Sequence, residues 1–310
     1  MPFELIIDNG RQQFSPPVHG EILLETFEQG RCSKLVFSAL SKLPVLEGDI
    51  VSLRVGGTPV FLGVVFAQAQ ASSLRTITAY DQLRYLRNRD TYVYHSKSAS
   101  DVVRMIALDY KLKLGAVAQT SYIIPSRVED NVSLANIIQN ALNIEFEQTS
   151  QRFLLLDEFG RLSLKTYAQM QTNLSITPSS CESFDLSTSV DSRFNRVKVS
   201  RYDRRAGRRD IFVASDPVSE SRLGILQHYS PVGLRNEVLL PEQAHSLLKV
   251  FNRDCRKLRI HSLCSGNIAT LRAGSIVSLS LPDIAQRAVV SRCLHRISAK
   301  KHVADLEVSL

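Results

Sequence analysis

Asp157-Glu158 is the most tempting pair for proton chemistry in this chain of 310 residues. Two carboxylates held together can split their pKa values into an acid and a base. The pair sits in RFLLLDEFGRLSLKTY, however, where Asp157, Glu158, Phe159 and Gly160 fall in the turn of an expected β-hairpin. Neighbours at such a tip face water in different directions, so the expectation is a solvated turn. The seven histidines, at 19, 95, 228, 245, 261, 295 and 302, offer no i, i+4 pair for a metal. Cys32, Cys181, Cys255, Cys264 and Cys293 are scattered without a CxxC and read as reduced thiols used as small core residues. No phosphate-binding loop, dinucleotide fingerprint, zinc-protease helix or nucleophile elbow is present. The residues therefore argue against an enzyme and imply no cofactor and no metal.

Two stretches could instead grip a polyanion. ITAYDQLRYLRNRDTYVY (77–94) interleaves Tyr80, Tyr85, Tyr92 and Tyr94 with Arg84, Arg87 and Arg89. Rings and guanidinium groups in alternation suit a stacking platform for single strands. They equally suit a half-buried corner, since Tyr and Arg each carry an apolar body and a polar tip. SRYDRRAGRRDIF (200–212) clusters Arg201, Arg204, Arg205, Arg208 and Arg209 around an expected hairpin tip. Guanidinium groups there could meet phosphates, or form a solvated loop or an intersubunit rim. A nucleic-acid-binding module using 80–94 and 201–209 is the alternative function, but no recognised nucleic-acid motif accompanies it.

The elements that must position these residues are mostly short strands. With 44% hydrophobic and 22% charged residues, the composition is that of an ordinary globular protein. No apolar run reaches the roughly 18 residues of a membrane helix, and MPFELIIDNG lacks the features of a signal peptide. The expectation is a cytosolically folded chain without membrane insertion. The net charge of +8 is uneven, because residues 191–310 carry 21 basic and 11 acidic side chains. Such asymmetry points to a polyanion or an acidic partner surface near that third.

Residues 1–90 read as five or more apolar strands punctuated by glycines, the pattern of a small antiparallel barrel. SASDVVRMIALDYKL and SLANIIQNALN then carry helical periodicity, the second with Ser133 as N-cap. With the hairpin that follows, they define a mixed α/β middle domain over 91–185, left through a serine-rich linker. Strands resume over 186–310, interrupted by an inserted segment at about 216–255 whose PEQAHSLLKVFNRDC reads as a helix. LEGDIVSLRV (46–55) and LRAGSIVSLSL (271–281) share Gly-[Asp/Ser]-Ile-Val-Ser-Leu, aligning Gly48 with Gly274. Upstream, SKLVFSAL (33–40) aligns with RKLRIHSL (256–263), and each motif is followed by two more apolar strands. The fold expected is mainly β: two tube-like antiparallel β-barrel domains related by internal duplication, with an α+β middle domain between them.

These stretches also carry a resemblance. ITAYDQLRYLRNRDTYVY, LEGDIVSLRVGGTPVFLGVV, IIPSRVEDNVSLANIIQNAL, FLLLDEFGRLSLKT and FNRVKVSRYD resemble, in the same order, PBSX-like phage tail proteins. That family is similar to the baseplate hub of contractile tails, the late control protein D class. The resemblance implies a homotrimer whose six barrels form a pseudo-hexameric ring between a sixfold tail tube and a threefold spike. It implies as partners the tail tube, spike and tape-measure proteins and LysM-type or wedge baseplate proteins, with DNA at most in transit. The particle would be a phage, a bacteriocin or an injection system, assembled in the bacterial cytoplasm and carrying this chain in its baseplate. Within this frame 77–94 is an interdomain joint: Tyr80 ends the first barrel, Asp81 caps a turn carrying Leu83 and Leu86, and Tyr92 and Tyr94 share one face.

Overall fold

Alternating apolar residues build the dominant feature, a sheet of 13 strands that holds two modules of identical strand order. The computed structural model describes residues 2–28, 30–203, 207–232, 240–264 and 268–310. Across the first module the neighbours are Phe3–Asp8, Ile50–Val55, Thr58–Ala71, Leu74–Tyr80, Lys34–Leu40 and Val18–Phe27. Across the second they are Gln171–Ile176, Ile276–Leu281, Ile284–Ile297, His302–Ser309, Cys255–Leu263 and Ser183–Ser189. Each set therefore runs first, fourth, fifth, sixth, third and second in chain order, disregarding the two-residue strand Gln13–Phe14. The modules share an edge, since Ile284–Ile297 pairs antiparallel with Val18–Phe27, from Arg292 opposite Phe27 to Ile297 opposite Ile22. That pairing hides two strand edges that would otherwise invite aggregation.

The echo around Gly48 and Gly274 is a repeated piece of hydrogen-bonded backbone. Gly48 N–H donates to Val65 O at 2.9 Å and Val65 N–H to Asp49 O at 2.9 Å. Gly274 N–H donates to Val290 O at 2.7 Å and Val290 N–H to Ser275 O at 2.9 Å. The same turn is closed by a side chain in both, Asp49 Oδ2 accepting from Leu46 N–H and Ser275 Oγ from Arg272 N–H. Both glycines have positive φ, +100° and +88°, which L-residues rarely adopt. One residue later in each long strand the register slips, at Phe66 and at Ser291. Such a β-bulge bends its strand and increases the local twist.

One strand departs from the expected antiparallel pattern. Phe3–Asp8 lies antiparallel to Ile50–Val55, whereas its counterpart Gln171–Ile176 lies parallel to Ile276–Leu281. Parallel neighbours need a long crossover, and the hundred residues between these two strands provide one. The boundaries differ as well. Gln171–Ile176 and the start of Ser183–Ser189 belong with the second module, so the middle domain ends earlier than residue 185.

The middle segment packs helix α1 (Ala99–Asp109) and helix α2 (Leu134–Thr149) on the antiparallel strand pair Arg89–Ser98 and Ile123–Ser133. Ser98 and Asp101 form a capping box on α1, and Ser133 Oγ accepts from Asn136 N–H to cap α2. Val102, Val103 and Ile106 of α1 meet Leu134, Ile137, Ile138 and Ala141 of α2 in one buried cluster. Glu145, 1% exposed, is satisfied by the N–H groups of Ser121 and Tyr122 at 3.1 and 2.9 Å.

Residues 186–257 form a separate compact unit. In it Arg196–Asp203 pairs antiparallel with Arg208–Ser215 and parallel with Gln227–Val232. Val197, Val199 and Ala214 pack against Leu240 and Ala244 of a helix over Leu240–Phe251. The insertion expected at 216–255 thus begins earlier, because strands expected to extend the second barrel instead cover this helix. Their alternating Val197 and Val199 would fit either sheet, so pattern alone could not assign them.

Candidate functional site

The stretch 77–94 is a joint between sheet and helices. Leu74–Tyr80 ends at Tyr80, and Asp81 caps the 3-10 turn Gln82–Arg87, accepting from Leu83 N–H at 3.0 Å. Leu83 and Leu86 are buried with Tyr92 and Tyr94 among the α1 and α2 side chains. Tyr92 Oη donates to Asp109 Oδ2 at 2.7 Å, and burial together with that carboxylate pushes its phenol far above the ordinary range. Tyr94 is 2% exposed, and burial lifts its phenol to about 12. Neither ring can stack a base, which removes half of the expected single-strand platform. Tyr80 and Tyr85 lie outside this core, with ring centroids 5.6 and 6.0 Å from Phe66, the bulged residue. Arg84 covers the same Phe66 ring at 5.1 Å.

Asp157 overturns the expectation of a solvated hairpin tip. It ends the strand Phe153–Asp157 and is only 5% exposed. Its Oδ1 accepts from Gly160 N–H at 2.8 Å, while its Oδ2 has no hydrogen-bond partner among the described residues. Arg272, in the repeated turn of the second module, donates from Nη1 to Asp157 O at 2.7 Å. Asp81 belongs to the same charge cluster: it is 2% exposed and also accepts from Ser33 N–H at 2.9 Å. Burial, then the Asp157 charge, raises Asp81 to about 7 against the opposing Ser33 hydrogen bond and Arg272. Burial raises Asp157 too and lowers Arg272. Two carboxyls that resist ionisation and one enclosed guanidinium tie the joint, the hairpin and the second module together. The signal missed was tertiary, since Asp81 and Arg272 are 191 positions apart.

A cysteine–histidine pair lies next to this cluster and lacks the chemistry of a nucleophile. Cys293 Sγ is 3.3 Å from His295 Nε2, but that nitrogen also lies 2.7 Å from Leu271 O. Donating there makes Nε2–H the protonated position, and His295 Nδ1 then accepts from His302 Nε2 at 3.0 Å. Burial holds His295 down to about 4 and pushes the Cys293 thiol far above its usual range. A thiol without access or thiolate character is structural. The His pair pins the backbone just before the Gly274 turn.

The basic loop is partly neutralised. Arg201 and Arg208 lie 3.8 and 3.4 Å from Asp210, while Arg209 is exposed. Arg204 and Arg205 fall outside the described residues.

Residues 22–309 match the family described as YQBQ-like. The chain belongs to that family. Its relatives include the phage-like element PBSX protein XkdQ of Bacillus subtilis, 27% identical over 275 residues, covering 85% of this chain and 82% of XkdQ. A tail protein from Neisseria meningitidis MC58 has a similar fold, with a TM-score of 0.73 at 14% identity over 100% of this chain and 97% of that one. So does the E. coli c3393 protein, at TM-score 0.57 and 9% identity, covering 100% of this chain and 76% of that one. That protein is a component of the type VI secretion system with structural similarity to the T4 bacteriophage tail proteins gp27 and gp5. The YQBQ-like chain described here accordingly shares the fold of a phage-type tail protein and of a type VI secretion component.

Proposed function

We propose that this chain is the structural, non-enzymatic hub of a contractile-tail baseplate, a homotrimer whose six β modules form a pseudo-hexameric ring. The observation that carries the reading is the pair of modules with one strand order, one glycine turn and one bulge, joined edge to edge in a single sheet. Two equivalent modules per chain let three chains present six similar faces to a tail tube and three to a spike. Closed rings also leave no strand edge free. Tail tube, spike, tape-measure and LysM-type or wedge proteins are the partners on this reading. The chain would assemble in the bacterial cytoplasm and end in the baseplate of a phage, bacteriocin or injection particle.

The basic C-terminal third would face the lumen or an acidic partner, with DNA only passing through. Native mass spectrometry of the chain alone and with its tube and spike proteins tests the stoichiometry. Monomer or weak trimer alone and trimer in the assembly is expected, and a stable dimer or hexamer contradicts it. An acidic lumen around the second module in an imaged ring would refute the charge placement.

A further inference from the structure

Beside the joint lies a cleft of about 450 Å³ whose walls carry more positive than negative charge. Arg31, Lys34 and Arg87 line it, and none of the three has an ion pair among the described residues. The carboxylate in the wall, Glu25, is committed to Arg292 at 2.6 Å. Ala135 and Asn136, in the first turn of the 16-residue helix α2, form another wall. Leu134 N–H and Asn136 N–H are already taken by Asn88 O and Ser133 Oγ, so the helix contributes chiefly the positive end of its dipole, which favours negative charge there. Three guanidinium or ammonium groups held around a concavity repel one another, and an anionic occupant removes that cost.

We propose that this cleft is a binding site for an acidic peptide segment, one that places paired Asp or Glu carboxylates between Arg31, Lys34 and Arg87. The size favours a segment over a lone oxyanion, since the space equals roughly fifteen waters at ~30 Å³ each. The walls disfavour single-stranded nucleic acid, which needs open aromatic faces. Phe27 is covered by the Arg31 guanidinium at 4.1 Å, and Tyr80 is engaged with Phe66. The site belongs to the isolated chain and does not depend on ring formation.

Fluorescein-labelled hexaglutamate is the probe, read by anisotropy on the full chain, with inorganic phosphate and a labelled 12-nucleotide oligo-dT as comparisons. Saturable peptide binding should weaken at least tenfold in Arg31→Gln/Lys34→Gln/Arg87→Gln. It should change less than twofold in Arg11→Gln/Lys42→Gln/Lys97→Gln, which removes the same charge from exposed positions elsewhere. Cys32 lines the cleft and is half-buried, so bound hexaglutamate should slow its alkylation several-fold by peptide mapping while exposed Cys264 is unaffected. Equal weakening in both triple variants, absence of saturable binding, phosphate binding as tightly as the peptide, or tighter oligo-dT binding through the same three residues would each overturn the proposal.

Discussion

The duplicated glycines offer a direct comparison, because the same substitution meets different surroundings in the two modules. At Gly48, φ is +100° and an added Cβ meets nothing within 4 Å. Gly48→Ala therefore costs only the strain of an L-residue at positive φ, in the left-handed region, about 1–2 kcal/mol. At Gly274, φ is +88°, and the new Cβ would lie 2.0 Å from Leu154 Cδ2. Leu154 is 3% exposed in the middle segment's hairpin, packed with Leu156 and Met170, so it has little room to yield. Overpacking adds about 1–3 kcal/mol, which puts Gly274→Ala at about 2–5 kcal/mol. Urea unfolding of both variants, followed by circular dichroism and by hydrogen exchange at each turn, measures the difference. Leu154→Ala/Gly274→Ala should be less destabilised than the two single changes added together, because the deleted side chain makes the space that the new methyl needs. Equal costs at the two glycines, or strict additivity of the pair, would refute the packing argument.

Further outcomes follow from the joint and its charges. Tyr92→Ala removes a buried ring and the Asp109 hydrogen bond and should cost about 3–5 kcal/mol in thermal or urea unfolding. Tyr85→Ala, at a ring 36% exposed, should cost less than about 1 kcal/mol and show itself only in the yield of assembled particles. Arg272→Met leaves Asp81 and Asp157 without their countercharge and should destabilise by about 3–5 kcal/mol at pH 8. The deficit should shrink at pH 6, where the two carboxyls protonate more readily, and a pH-independent deficit would contradict it. His295, held down to about 4, adds stability that is complete above pH 6.5 and is lost as pH falls toward 4, at up to about 1.4 kcal/mol per pH unit. Asp81 has the opposite sign: its folded-state value is raised to about 7, so its contribution is complete below pH 4 and is lost as pH rises through 7. Unfolding curves of His295→Asn and wild type should therefore converge as the pH is lowered, relative to their separation at pH 7.

Much of this protein is local and therefore legible in its residues. Helix α2 follows from Leu134, Ile137, Ile138, Ala141 and Leu142 with Ser133 in front, because helix period and cap chemistry are short-range. The turn at Asp81 and the shared face of Tyr92 and Tyr94 are equally local. The repeat was visible because a positive-φ glycine and the alternating strand after it are dictated by backbone sterics at each copy. What the tertiary structure decided is how distant segments neutralise and bury one another. Asp157 reads as a wet hairpin tip until Arg272 closes over it from a turn 115 positions away. Arg196–Asp203 and Arg208–Ser215 have the alternation of any half-buried sheet, and only their packing on Leu240 and Ala244 assigns them to the 186–257 unit. The parallel direction of Gln171–Ile176 and the unbalanced cations of Arg31, Lys34 and Arg87 likewise depend on which strands and helix ends become neighbours. Periodicity specifies which face of an element is buried; its partner is chosen by long-range packing and charge, which no window of sequence contains.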